Sequence, residues 1–210
     1  MNWSRVVRDP AEARAVLADP GDALDLRAAG PLDEQWAALG FEQLVPGELV
    51  RPVPVVLAGV EQTRALGGRL AAGLRAGDLV VLTGPLGAGK TALTQGIGAG
   101  LGVRGAVTSP TFVLARVHRG PLPLVHVDAY RLRGAGGRVE LDDLDLDDAL
   151  PQSVTVVEWG EGIVEQLSPS RLEVALSRPT GEGGTADTRL ARIRMRGPRW
   201  AVVQPPCVTS

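Results

Sequence analysis

The 210-residue chain has one cysteine, Cys207, and two histidines. A lone thiol excludes an internal disulfide framework and fits a reducing compartment. So few soft ligands leave little for a zinc site. Aromatic residues are 3% of the chain, too few for a platform that stacks unpaired bases. No run approaches the ~18 apolar residues of a membrane span. Met1-Asn2-Trp3-Ser4-Arg5 does not lead into an apolar stretch of signal-peptide length. The expectation is a cytoplasmic protein with no membrane contact. Neither sign of charge prevails: 22 Lys and Arg stand against 24 Asp and Glu, a net charge of -2. That argues against coating nucleic acid by bulk charge.

A hydrophobic fraction of 44% is enough for a sizeable core, and the length suits one domain with an appendage. The 27 glycines and 16 prolines stay below the roughly 25–30% that marks low complexity. Lysine is the scarcest charge, since all the basic residues except Lys90 are arginine. Arginine serves wherever a generic positive charge suffices, so a position that stays lysine is a candidate for a compact ammonium.

Residues 1–52 read as an N-terminal extension of unknown role, with short helices over 10–17 and 31–39. Trp36, Leu39 and Phe41 are its apolar anchors, and it ends in a Pro-rich linker through Pro46, Pro52 and Pro54. Residues 53–203 read as the main domain and 204–210 as a tail. Within the domain, 53–57 is an opening strand that Pro54 assigns to an edge. Leu66, Leu70 and Leu74 mark one face of a helix over 61–74. Residues 79–83 are a buried parallel strand. A helix follows on which Leu93, Ile97 and Leu101 share a face, ended by Gly102. Further strands are expected at 112–117, 122–127, 154–157, 172–176 and 190–195. The acidic run 140–148 reads as a solvated helix face. The fold class is α/β: a central, mostly parallel sheet flanked by helices, with a C-terminal antiparallel hairpin.

Gly84-Pro85-Leu86-Gly87-Ala88-Gly89-Lys90-Thr91 matches the phosphate-binding loop G-x-x-x-x-G-K-[ST]. Glycines let successive N–H groups curl around phosphates, and the loop feeds a helix N-terminus whose unpaired N–H groups attract anions. In that motif the lysine reaches the β and γ phosphates and the threonine hydroxyl ligates Mg²⁺. The only lysine of the chain falls on the motif lysine. This pattern predicts a protein that binds a nucleoside triphosphate.

Such a loop needs a second, metal-organising carboxylate on a neighbouring strand. Glu158 ends the apolar run Val154-Thr155-Val156-Val157, and would hold Mg²⁺ through water or polarise the attacking water. Alternation in His126-Val127-Asp128-Ala129-Tyr130 puts His126, Asp128 and Tyr130 on one face. Asp128 is placed to join the metal environment, His126 reads as a packing histidine, and Tyr130 is equally a core aromatic. Ser109-Pro110-Thr111 is either a switch segment that brings Thr111 to metal or water, or an ordinary Ser-Pro turn.

Taken together, GPLGAGKT (84–91), SPTF (109–112), HVDAYRL (126–132) and EWGE (158–161) resemble the bacterial TsaE (YjeE) family, small P-loop ATPases of tRNA threonylcarbamoyladenosine synthesis. The resemblance runs from about residue 55 to about residue 200. It implies that Lys90 and the loop Gly84, Pro85, Leu86, Gly87, Ala88, Gly89, Thr91 and Ala92 hold ATP, with Thr63 near the adenine. Thr91 and Glu158 would hold Mg²⁺, Asp128 would sit in the catalytic metal environment, and Thr111 would belong to a switch-like segment. The implied partners are TsaD, which transfers the threonylcarbamoyl group, and TsaB. Pro85 stands where the family usually has an acidic residue, Ala92 where a second Thr is common, Phe112 where Tyr is common and Gly160 where Pro is common.

Two other readings use the same loop. A small-molecule kinase would need an acceptor pocket and an arginine-bearing lid, for which Arg131, Arg133 and Arg138 are the candidates. A nucleotide-gated binding module would turn over negligibly, consistent with the lack of an evident arginine finger. Residues 171–199 hold seven arginines against Glu173, Glu182 and Asp187, and Arg192, Arg194 and Arg196 alternate with Ile193 and Met195. That basic strand face is either a solvated edge or a docking surface for an acidic partner or weak tRNA contact.

Overall fold

The computed structural model describes residues 4–19, 25–39, 41–45, 48–52, 54–110, 113–133, 149–164, 167–179 and 187–200. Thr111, Phe112 and the acidic run 140–148 lie outside the described residues.

The described residues up to Pro52 form a sheet, not only the two expected helices. Strands β1 (Ser4–Val6), β2 (Asp25–Ala29), β3 (Glu42–Val45) and β4 (Glu48–Pro52) are ordered β1-β2-β4-β3. Helices α1 (Pro10–Ala18) and α2 (Glu34–Ala38) connect them. Strand β4 occupies part of the stretch that the sequence presents as a Pro-punctuated connection. Strands as short as DLRAA, EQLV and ELVRP carry few β-branched residues, which hides them from a period-two reading. Both helices start where an aspartate can cap them. Asp9 accepts from the Ala11 and Glu12 N–H groups, and Asp33 from those of Gln35 and Trp36. Trp36 and Phe41 meet edge-on at 4.7 Å in a small core with Val7, Val16 and Leu26.

The second sheet holds β5 (Val55–Leu57), β6 (Leu79–Thr83), β7 (Ala115–His118), β8 (Leu124–Asp128), β9 (Val154–Glu158), β10 (Arg171–Ser177) and β11 (Arg189–Arg196). Their order is β5-β11-β10-β6-β9-β8-β7. Strands β10, β6, β9 and β8 are mutually parallel. Antiparallel pairs flank them, β7 with β8 at one end and the β10–β11 hairpin with β5 at the other. This is the expected α/β architecture, with the segment after Pro54 on an edge.

Strand β7 starts later than the sequence suggests. Leu114 is left-handed (φ 63°), and the N–H groups of Val113 and Leu114 both turn back to the Pro110 carbonyl. Helices α3 (Val60–Ala71) and α4 (Lys90–Gly100) share a core cluster with one face of the sheet, Leu66, Leu70, Leu93 and Ile97 meeting Val80, Leu82, Val156 and Val174. The two helices approach closely because Gly67 and Gly96 carry no Cβ: one on Gly67 would strike the Leu93 carbonyl, and one on Gly96 the Arg64 carbonyl. The opposite face buries Leu79, Val81, Val127 and Val157 beneath Leu150 and Val164.

Candidate functional site

The site lies at the carboxyl ends of β6, β8 and β9, where an open parallel sheet holds ligands. Strand β6 delivers the loop 84–89 and α4 begins at Lys90. Gly84 has φ +130°, and a Cβ there would run into the Leu176 carbonyl of β10, so only glycine lets the loop leave the sheet at this point. Gly89 caps α4 in the left-handed conformation with no side-chain cap bond. The first N–H groups of the helix are thereby left facing the loop, a favourable place for negative charge. Ala88 is buried, while Pro85, Gly87 and above all Leu86 (90% exposed) form the outer lip. Ala92 is partly buried one residue beyond Thr91.

Lys90 is only 5% exposed. Its Nζ donates to the Gly84 carbonyl at 2.8 Å and the Pro85 carbonyl at 3.0 Å. It also stands 3.6 Å from the centre of the Trp159 ring, an attractive position for a cation on an aromatic face. The ammonium is thus held inside the loop, beside the space its N–H groups surround. Trp159 has φ 63°, a strained value for a bulky residue. Its N–H bonds the Leu82 carbonyl and its ring meets Tyr130 edge-on at 5.2 Å. Tyr130 is 57% exposed and so is not a core aromatic; it flanks the Trp159 wall.

The carboxylates converge on the same end. Glu158, 3% exposed, accepts from the Thr91 hydroxyl at 2.9 Å (Oε1) and 3.2 Å (Oε2). Fully buried His126 places Nε2 2.9 Å from Glu158 Oε1, so this histidine orients the carboxylate as well as packing. Asp128 is in register with Glu158 across β8 and β9. Its Oδ2 accepts from the Ser109 hydroxyl at 3.2 Å and its Oδ1 from the Tyr130 N–H at 3.1 Å. Thr63 on α3 is buried behind the loop, its hydroxyl given to the Gly59 carbonyl and its methyl facing Gly89.

Lys90, Thr91, Asp128 and Glu158 are therefore gathered at one place, with Thr63 packed beneath it. Among the described residues no group of three or more His, Cys, Asp and Glu could hold a metal ion. A threonine hydroxyl against one carboxylate is instead the donor set of a cation that keeps waters and phosphate oxygens, as Mg²⁺ does. Two neighbours were not singled out by the sequence. Trp159 had a signal, its place directly after the carboxylate. Arg178 had none beyond belonging to an arginine-rich segment; its Nη2 donates to the Gly87 carbonyl at 3.1 Å.

Fold and loop together define a P-loop protein of the mixed α/β class. The crystal structure of YdiB from Bacillus subtilis matches with a TM-score of 0.56 at 33% identity, covering 70% of this chain and 87% of that one. Residues 57–186 match the family model described as threonylcarbamoyl adenosine biosynthesis protein TsaE. The tRNA threonylcarbamoyladenosine biosynthesis protein TsaE of Streptomyces coelicolor is 62% identical over 66% of this chain and 93% of its own length. The protein of that name from Bacillus subtilis is 42% identical over 56% of this chain and 73% of its own. The chain belongs to the TsaE family, whose members serve tRNA threonylcarbamoyladenosine biosynthesis.

Proposed function

We propose that this chain binds Mg·ATP and hydrolyses it within the tRNA threonylcarbamoylation machinery, weakly alone and faster with its TsaD and TsaB partners, in the cytoplasm. The observation that carries the reading is the convergence of Lys90 with the Thr91–Glu158 pair at the N-terminus of α4. The loop N–H groups receive the phosphates, and Lys90 exchanges its two carbonyls for the stronger charge-assisted bonds to phosphate oxygens. Thr91 and Glu158 hold Mg²⁺, which when bound offsets charge developing on the transferred phosphoryl group. His126 keeps the Glu158 carboxylate turned toward Thr91. Asp128, fixed by Ser109 and the Tyr130 N–H, faces the same space and orients the attacking water; Thr111 is proposed as a switch-like residue on its sequence motif alone. Thr63 backs Gly89 and is the proposed neighbour of the adenine.

Titration calorimetry with Mg·ATP tests the first step. Wild-type protein binds with a 1:1 stoichiometry, and Lys90→Ala weakens binding by about 2 kcal/mol, the worth of a hydrogen bond to a charged group. Equal affinity in both proteins would remove the loop from nucleotide binding.

A further inference from the structure

Strand β11 carries an arginine ridge that the nucleotide site does not use. Arg192, Arg194 and Arg196 alternate with buried Ile193 and Met195, so the three arginines leave one face of the strand from Cα positions at ~6.8 Å intervals. This is the face of the sheet away from α3 and α4. A groove of about 230 Å³ opens there, with Val81 and Ala175 in its floor and Glu173 beside the ridge.

The carboxylates nearby do not balance the ridge: Glu161 also lines the groove, but it is exposed and makes no ion pair with the ridge among the described residues. Glu173 takes Arg171 Nε at 2.8 Å and Arg196 Nε at 3.3 Å. Glu42, from β3 of the first sheet, takes Arg194 Nη2 at 2.6 Å and lies 4.0 Å from Arg196 Nη2. Among the described residues Arg192 has no carboxylate partner, and it is exposed. Its charge instead meets Arg51 of β4, whose pKa is lowered by burial first and by Arg192 second. Arg51 Nη1 and Arg194 Nε are buried without an acceptor. Guanidinium N–H groups left without acceptors, next to an unpaired like charge, favour an incoming anion.

We propose that this groove docks the phosphodiester backbone of RNA, with Arg192 making the first contact and Arg194 and Arg196 exchanging Glu42 for phosphate. The identity of that RNA as tRNA rests on the reading above; the groove itself does not. Guanidiniums repeating along a strand suit successive phosphates of one nucleic-acid chain, and nucleic-acid interfaces are polar and positive. A protein interface of similar size would need a buried aromatic or aliphatic anchor, whereas among the described residues the apolar part of the lining is Val81 and Ala175, beside Thr83. Among the described residues no aromatic ring lines the groove, so the contact is to backbone and not to base identity.

The test is fluorescence anisotropy of labelled tRNA with the full chain over a salt series. Arg192→Ala is expected to weaken binding by about fivefold and to lower the slope of log affinity against log salt by about one phosphate contact. Glu42→Gln frees two ridge arginines and is expected to tighten binding severalfold, a gain that a damaged fold does not produce. Both variants keep wild-type ATP hydrolysis. Arg192-dependent binding in a chain that fails to bind ATP would uphold the groove while removing the ATPase reading. No tRNA binding at low salt, or affinity indifferent to both substitutions, overturns the inference. So does polyglutamate binding more tightly than tRNA with the same Arg192 dependence, which would assign the ridge to an acidic protein.

Discussion

Lys90 shows how much of this site is arranged within the free chain. A lysine ammonium buried to 5% exposure would be costly unless satisfied, and here two loop carbonyls and the Trp159 ring satisfy it. On the proposed reading, nucleotide binding exchanges partners without having to order a flexible side chain. It also draws Lys90 off the indole, so Mg·ATP should change tryptophan fluorescence. Trp159→Phe should abolish that change while retaining binding; a change that persists in the variant would assign the signal to another tryptophan. The carboxylates divide the work in a testable way. Glu158→Gln loses the charge that Thr91 and His126 surround, and should reduce hydrolysis by about a hundredfold with a smaller effect on affinity measured without Mg²⁺. Unchanged Mg²⁺ dependence in both Glu158→Gln and Asp128→Asn would refute the metal assignment.

His118 sets a pH dependence of stability. Burial, then the charges of His126 and Arg116, lower its pKa below the ordinary 6.5, and its Nε2 is buried with no acceptor. The folded state thus binds the proton less readily than the unfolded chain. The stability is fully present above the unfolded pKa and is lost as pH falls from there through the folded pKa. Urea unfolding at stepped pH values should show a decline below about pH 6.5 that His118→Gln flattens. An equal decline in the variant would place the effect elsewhere.

Among the elements, the α3–α4 pair holds the phosphate loop in place, since Thr63 and Gly89 meet where the two helices begin. Gly96→Ala puts a methyl against the Arg64 carbonyl and should cost about 1–3 kcal/mol as overpacking, read as a lower urea midpoint with an unchanged slope. The elements that form the candidate site were the legible ones. Residues 79–83 form a continuous apolar run, 154–158 an apolar run ending in a carboxylate, and α4 has an unbroken leucine–isoleucine face. Each advertises itself locally. Strands β1 to β4 do not, because Asp25, Arg27, Glu48, Arg51 and Pro52 interrupt any alternation, and only pairing with distant strands makes them a sheet. The same limit hid Arg178, His126 as a partner of Glu158, and the left-handed Trp159. Each depends on residues brought together from different strands, whereas the phosphate loop is contiguous.

Across the whole molecule, the first sheet is joined to the second along β11. Strand β5 pairs only with Arg189–Ala191 of β11, and the edge farther along is met from the first sheet. Arg27, 3% exposed, gives its Nη2 to the Met195 carbonyl at 3.1 Å, and Glu42 pairs with Arg194. This shields an otherwise open edge, although residues 1–56 lie outside the family match. Farther along, Arg199 bonds Asp78 Oδ1 at 3.2 Å and the Gly73 carbonyl at 2.9 Å, tying the segment after β11 to the turn before β6. Arg199→Ala leaves the buried Asp78 carboxylate without its cation and should destabilise the chain by about 2–3 kcal/mol, again by urea unfolding. A loss below the error of that measurement would show the clamp to be replaceable by solvent.

We propose that this fold hydrolyses ATP in the service of tRNA modification. The most direct test is steady-state ATP hydrolysis by the purified chain, alone and with cognate TsaB and TsaD, against a Lys90→Ala control. Slow turnover alone, stimulation by the two partners together, and loss of both rates in the variant are expected. Lys90-dependent hydrolysis that ignores the partners, or no Lys90-dependent turnover in either setting, would contradict the proposal.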